Sequence, residues 1–258
     1  MDEILRNLPA GARVLDLGCD EGSFPAERTR ATTVRLDRDA PRRRDAAFVQ
    51  GDAARLPFGE GSFAAVISNH SLEHFDDLDA VLREIGRVTQ PEGALFVAVP
   101  DASTLTDRIY RWLGRGGGHV NRFTSAEQVA RAIERGTGLR HVATRTLWSS
   151  LSFLNRKRAP RPLPLRLWLV GGGFEPVLRA YVRVSRGIDR MLGTRTGVYG
   201  WAFFFGAIQG PIDADSWANV CVRCGSGFPE EFLRARGLVG DAQYRCPNCE
   251  ARNPFVSV

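Results

Sequence analysis

The sequence predicts a doubly wound, mostly parallel α/β sheet, followed by a helical insertion and a small four-cysteine unit. Three observations carry this. Strand-like and helix-like segments alternate through the first half of the chain, the order that builds parallel strands with crossover connections. Acidic residues stand at the ends of successive strand-like segments, where open α/β sheets gather their ligands. Two Cys-x2-Cys pairs lie near the C-terminus with 21 residues between them, a spacing of tetrahedral metal sites. At 258 residues the chain can bury one α/β core and a small appendage. Its 43% hydrophobic content argues against wholesale disorder.

The elements follow in order. Arg13–Leu17 reads as a first strand ending in the turn Gly18-Cys19-Asp20-Glu21-Gly22, after which a helix is expected. Thr32–Leu36 is a second strand ending at Asp37, Ala47–Gln50 a third ending at Gly51-Asp52, and Phe63–Ser68 a fourth. Within 76–90, Leu78, Val81, Leu82, Ile85 and Val88 recur at helical spacing. Pro91-Glu92-Gly93 then turns the chain into the apolar strand Ala94–Val99. Residues 101–124, with Gly114, Gly116, Gly117 and Gly118, read as a loop or lid. A helix over Ser125–Glu134, capped by Thr124 or Ser125, precedes strands over His141–Trp148 and Tyr199–Ile208. The expected division is a core over 1–150, an insertion over 151–197, a last core strand over 198–212 and the cysteine unit over 213–258.

Gly18 and Gly22 let the first turn bend tightly and approach a ligand, with amides near the expected helix N-terminus facing an anion. A G-x-G-x-x-G dinucleotide motif does not fit, because Asp20 and Ser23 occupy the next two glycine positions. Asp37 can accept hydrogen bonds from two ribose hydroxyls, and Asp52 from the exocyclic amine of an adenine.

The segments VLDLGCDEG, LDRD, GDAARLPF, SNHSLEHF and PEGALFVAVP occur in the order found in class I S-adenosylmethionine-dependent methyltransferases. Over residues 10–150 the chain resembles that family, and most closely its branch of quinone-biosynthesis and small-molecule enzymes. The resemblance implies a Rossmann-like fold with S-adenosyl-L-methionine as cofactor. It implies that Asp16, Gly18 and Gly22 shape the methionine end of the site, and that Asp37 holds the ribose. Asp52 and Ala53 would hold the adenine, and Asn69 the cofactor's other flank. One position departs from the family: Asp20 stands where glycine is usual. Aspartate tolerates left-handed backbone better than most residues, but its charge opposes the methionine carboxylate.

Methyl transfer from a sulfonium is an in-line displacement, so the protein mainly aligns the nucleophile and excludes water. A base is needed only for an acceptor that is protonated at working pH. His70, beside the end of the fourth strand, and His119, in a GHVNRFT segment that resembles a substrate-side segment of the family, are the catalytic candidates. Glu73 and His74 read as local hydrogen-bonding residues, and Cys19 as packing.

Cys221, Cys224, Cys246 and Cys249 read as a zinc ribbon with a structural Zn2+, four thiolates leaving no open position. Disulfides are the alternative. They are disfavoured because no signal-peptide pattern and no apolar run of membrane-spanning length is visible, which points to the cytoplasm. The net charge is +6, with 12 Arg and Lys against two acids within 140–195. There Val177, Tyr181, Val184, Ile188 and Met191 form an apolar helical stripe, and Arg179, Arg183, Arg186 and Arg190 an opposite basic one. Leu163, Leu165, Leu167, Trp168 and Leu169 add an apolar patch beside Arg156, Lys157, Arg158 and Arg161. The insertion is expected to cap the active site with a solvated arginine face. An anionic membrane surface, giving a peripheral location, a phosphorylated substrate or nucleic acid are its other readings. The ribbon is open to a protein partner, to nucleic acid or to its own catalytic domain. The sequence thus points to a methyltransferase of a small-molecule or lipid- or sugar-linked acceptor. The alternatives are an RNA methyltransferase and a zinc-dependent interaction module on an inactive fold.

Overall fold

Apolar β-branched residues in Arg13–Leu17 (β1) and Thr32–Asp37 (β2) build a buried parallel pair in the computed structural model, which describes residues 1–41, 45–113, 118–155, 157, 173–213 and 217–257. Ala47–Gln50 (β3), Phe63–Asn69 (β4), Thr89–Pro100 (β5), His141–Trp148 (β6) and Val198–Gly206 (β7) complete a sheet of order β3-β2-β1-β4-β5-β7-β6. The pairs β1–β2, β2–β3, β1–β4 and β4–β5 are parallel. Strand order reverses between β1 and β4, which opens a crevice at their carboxyl ends. Helices Asp2–Leu5 (α1), Leu78–Val88 (α2) and Ala126–Thr137 (α4) belong to the same unit, which comprises Met1–Pro100, Gly118–Arg145 and Trp201–Ala214. The Asp77 carboxylate caps α2 by accepting the Ala80 amide, and Val81, Leu82, Ile85 and Val88 pack into the core with Leu17, Val66, Val97 and Phe203.

Two local expectations are corrected here. Among the described residues no α-helix follows the glycine turn; Pro25 leads only into the single 3-10 turn Ala26–Arg28, so no extended helix dipole faces the turn. Pro91-Glu92-Gly93 does not precede the fifth strand but lies inside it as a bulge. Phe63 pairs with Thr89 and Ala65 with Ala94, so β5 advances five residues while β4 advances two.

The second unit comprises Asp101–Gly117, Thr146–Gly200 and Asp215–Val258. The expected loop after β5 contains a helix, Leu105–Leu113 (α3), while Gly114, Gly116 and Gly117 lie outside the described residues. Glu175–Leu192 (α5) packs Leu178 and Val182 against Leu151, Leu154 and Val222. The cysteine segment adds the antiparallel pair Asn219–Val220 (β8) and Gly227–Phe228 (β9), the helix Glu230–Ala235 (α6), and a three-stranded antiparallel sheet of Val239–Gly240 (β10), Gln243–Arg245 (β11) and Arg252–Pro254 (β12). It shares this unit with the insertion: Arg223 pairs with Glu175 at 2.6 Å, and Asn155 Nδ2 donates to the Val222 carbonyl at 2.9 Å.

The orientation of α5 overturns the expectation in part: Arg183 and Arg190 are exposed as expected, but the apolar stripe is largely exposed too. Val177, Val184, Ile188 and Met191 are exposed, while Leu178, Val182, Ser185, Arg186 and Asp189 face inward. Arg186 lies 4.4 Å over the Trp148 ring and donates to the Gly197 and Ser149 carbonyls at 2.9 and 2.8 Å. Asp189 accepts from the Thr196 and Gly197 amides at 2.7 Å each. With the terminal nitrogens of Arg186 and the Asp189 carboxylate satisfied, the face can be buried although it is not the most apolar one. The Leu163–Leu169 patch, with Arg156, Arg158 and Arg161, lies outside the described residues.

Candidate functional site

A cleft of about 400 Å³ opens at the ends of β1, β2 and β4, and five of the expected residues line it: Gly18, Asp20, Asp37, Ala53 and His70. Gly18, at φ +65°, donates its amide to the Leu36 carbonyl at 2.8 Å. A side chain there would meet the Ser71 Cβ at 2.4 Å, so glycine is required by packing as well as by the turn. Ser71 is held in turn by donating to the Leu17 carbonyl and lying 2.6 Å from the Ser68 hydroxyl. Asp20 adopts the left-handed region at φ +44°, and its amide donates to Asp37 Oδ2 at 2.8 Å. Asp37 Oδ1 takes the Asp39 amide at 3.2 Å. The turn is therefore tied to the acid at the end of β2.

Asp16 and Gly22 stand behind the cleft. Asp16 is fully buried, accepts the Ser23 amide at 2.9 Å and lies 3.5 Å from Arg35 Nε. Burial pushes its carboxyl up to about 6, against the opposing pull of Ser23 and Arg35. Gly22, at φ +105°, makes room for Arg35: a Cβ there would sit 2.5 Å from the guanidinium carbon. Arg35 is 1% exposed, ion-paired with Asp45 and donating to the Phe24 carbonyl at 2.7 Å. The close approach expected at Gly22 is thus made by a buried arginine of the chain itself. Asp52 accepts the Ala54 amide at 2.9 Å, and Asn69 is the last residue of β4, paired with Ala98. Neither is among the lining residues of the cleft.

His70 sits in the left-handed region at φ +58°, its amide donating to the Ala98 carbonyl and its Nδ1 3.9 Å from Glu73 Oε1. His119 does not line the cleft; its ring packs edge-on against His74, centroids 4.9 Å apart. His74 does line it, together with Ser71 and Phe75. Partial burial of the ring holds the His74 imidazole below its ordinary pKa, offset in part by the Gly118 carbonyl 3.0 Å from Nδ1. Sequence reasoning passed over His74 as a local hydrogen-bonding residue. Its place one turn beyond His70, in the segment leaving β4, was the available signal.

In the second unit, Cys221, Cys224, Cys246 and Cys249 bring their sulfurs within 4.8 Å of one another, and all are free thiols. Each pair forms a knuckle: the Gly225 amide returns to the Cys221 carbonyl and the Glu250 amide to the Cys246 carbonyl, with Gly225 and Glu250 both at positive φ. The Arg223 amide points at Cys221 Sγ from 3.4 Å. Hydrogen bonds from Cys221 and Cys246 push the Cys224 thiol far down, while the bond to Cys224 pushes Cys221 up to about 11.

The sheet order and the ligand crevice at its switch point define a class, and residues 1–143, more than half the chain, match the methyltransferase domain family. The chain belongs to that family. It is 40% identical over 97 residues to a demethylmenaquinone methyltransferase of Beutenbergia cavernae, covering 34% of this chain and 40% of that one. It is 34% identical over 140 residues to a malonyl-[acyl-carrier protein] O-methyltransferase of Halorhodospira halophila, covering 48% of each. The matches thus span about half, or less, of these curated relatives. A SAM-dependent methyltransferase of Archaeoglobus fulgidus has a similar fold, with a TM-score of 0.53 at 17% identity over 78% of this chain and 87% of that one. A Haloferax volcanii methyltransferase in complex with the activator Trm112 gives 0.50 at 18% identity, over 80% and 87%.

Proposed function

We propose that this chain is an S-adenosylmethionine-dependent methyltransferase acting on a small-molecule or lipid-linked acceptor. The observation that carries the reading is the Asp37 carboxylate at the end of β2, tied to the Gly18–Gly22 turn at the edge of a cleft of about 400 Å³. That volume lies within the range of small-molecule and cofactor pockets. Asp37 would hold the ribose, Asp52 and Ala53 the adenine, and Asn69 the far flank. Asp16, Gly18, Asp20 and Gly22 would shape the methionine end, Asp16 and Gly22 acting from behind through Ser23 and Arg35. The cofactor, when bound, supplies a methyl group on a positively charged sulfur. His70 at the cleft and His119 beside His74 are the groups that could take a proton from the acceptor. The names of the relatives, demethylmenaquinone and malonyl-[acyl-carrier protein] methyltransferases, support a small or carrier-linked acceptor. The reading keeps the cofactor core at 1–150 with its last strand at 198–212, the insertion at 151–197 and the ribbon at 213–258. Four thiols this close are matched in number and kind to a structural Zn2+.

The test is calorimetry with S-adenosylmethionine. Asp37→Ala removes an ionised acceptor, costing about 1.5–3 kcal/mol, roughly ten- to a hundredfold in affinity. Unchanged binding overturns the assignment of this strand end. Labelled methyl transfer into fractionated extract then identifies the acceptor class.

A second observation supports a membrane partner. Along α5, Val184 is 59% and Met191 83% exposed, and Arg183 and Arg190 are exposed on the flank of that stripe. Such a helix can lay its apolar face into an anionic lipid surface. Among the described residues no helix is long and apolar enough to cross a membrane. Val184→Gln with Met191→Gln should abolish flotation with anionic vesicles while S-adenosylmethionine binding persists. Wild-type protein that ignores such vesicles removes this partner.

A further inference from the structure

Glu73, His74 and His119 each offer one ligating atom, and these atoms lie within 4.8 Å of one another. Two segments distant in sequence are stitched together to place them. The Val120 and Asn121 amides both donate to the Glu73 carbonyl, at 2.8 and 3.0 Å. Asn121 Nδ2 donates to the Leu72 and Phe75 carbonyls at 3.0 and 2.7 Å. His74 Nδ1 lies 3.0 Å from the Gly118 carbonyl. These contacts clamp the GHVN segment onto the turn that leaves β4 and bring His119 beside His74.

Two imidazoles and one carboxylate are a donor set of open divalent metal sites, in which three protein ligands leave positions for water or substrate. With its proton on Nδ1 and given to the Gly118 carbonyl, His74 keeps a lone pair on Nε2, the tautomer that outer hydrogen bonds commonly fix in ligating histidines. Ligand atoms of a tetrahedral site with bonds of ~2.1 Å stand roughly 3.4 Å apart. Closing the cluster therefore needs movement on the order of 1 Å. The half-buried His119 can supply it by ring rotation, with His74, held at the Gly118 carbonyl, and the buried Glu73 as the fixed arms.

We propose that Glu73, His74 and His119 form a second metal site, separate from the four cysteines, that takes a divalent transition ion. Because His74 also lines the cleft, the ion stands at the cleft's edge, with a coordination position for water or for an oxygen donor of the acceptor. Only that last role rests on the methyltransferase reading; the site itself stands on the donor set and the clamp that assembles it.

Cobalt titration of the whole protein carrying one equivalent of zinc, which the four thiolates take first, tests this, because Co2+ bound by histidine and carboxylate lacks the thiolate charge-transfer band it shows when bound by cysteine. The wild-type chain should take one Co2+ per molecule without that band, and His119→Ala and His74→Ala should each weaken it by about tenfold or more. His141→Ala, the remaining histidine outside the cleft, should leave it unchanged. Thermal unfolding checks that each variant is folded; should one of the two imidazole variants fail to fold, the other carries the test, and Glu73→Gln adds the third ligand. No second ion at millimolar Co2+, or equal binding by the folded variants, overturns the site. Calorimetry with S-adenosylmethionine on the same samples keeps the two readings apart: cobalt binding without cofactor binding leaves the metal site standing and removes the methyltransferase reading.

Discussion

Gly22→Ala is a direct test of what the glycine turn is built around. A Cβ at this position would stand 2.5 Å from the Arg35 guanidinium carbon and 2.6 and 2.8 Å from its terminal nitrogens. Arg35 has little room to withdraw, being 1% exposed and anchored on Asp45 and the Phe24 carbonyl. Overpacking a tight interior costs about 1–3 kcal/mol, and forcing alanine into left-handed backbone adds roughly 1–2 kcal/mol. The expected loss is thus about 2–5 kcal/mol. Gly138→Ala is the matched control: Gly138 ends α4 at φ +72°, with nothing within 4 Å of the place a Cβ would take, so only the backbone cost applies. Urea unfolding of both variants should show Gly22→Ala less stable than Gly138→Ala by about 1–3 kcal/mol. Equal losses would refute the argument that Arg35, rather than the turn alone, requires glycine here.

Asp16 predicts a pH dependence. Its folded pKa of about 6 lies above the unfolded value of 3.8, so the folded state binds the extra proton and stability falls as pH rises from about 4 to 6. Relative to wild type, Asp16→Asn should therefore gain on the order of 3 kcal/mol across that window; a flat difference between the two proteins contradicts it. If the four cysteines hold a structural Zn2+ as proposed, Cys246→Ser should lower the zinc content of the purified protein and unfold mainly the second unit, seen as lost hydrogen-exchange protection over 219–254 with β1–β5 unaffected. Full protection without metal would remove zinc as the staple. The notion that Arg179, Arg183, Arg186 and Arg190 form one solvated face fails at Arg186, whose replacement by Gln should destabilise the fold, because it removes the arginine donor of the Ser149 carbonyl and leaves the Gly197 carbonyl with the Ser149 amide alone. Thermal unfolding of that single variant, beside Arg183→Gln, separates the two roles.

Much of the sheet was legible from local pattern. The bounds of β1, β3 and β6 agree with the segments that predicted them, and the acids closing β1, β2 and β3 lie at one end of the sheet because parallel strands bring their carboxyl ends together. The cysteine knuckles were legible too, since each is a five-residue turn whose geometry is local. Periodicity could not say which face of α5 would be covered: it records which side chains share a face, whereas burial depends on what the rest of the chain brings against it. Leu151, Leu154 and Val222 cover Leu178 and Val182, and backbone carbonyls from Ser149 and Gly197 make burial of Arg186 tolerable. The same limit hid the partner of Gly22, which is an arginine thirteen residues further on that reaches it only through the β1–β2 pairing. It also hid the meeting of Glu73 and His74 with His119, because every hydrogen bond that joins them ends on a backbone carbonyl, which carries no sequence signature of its own.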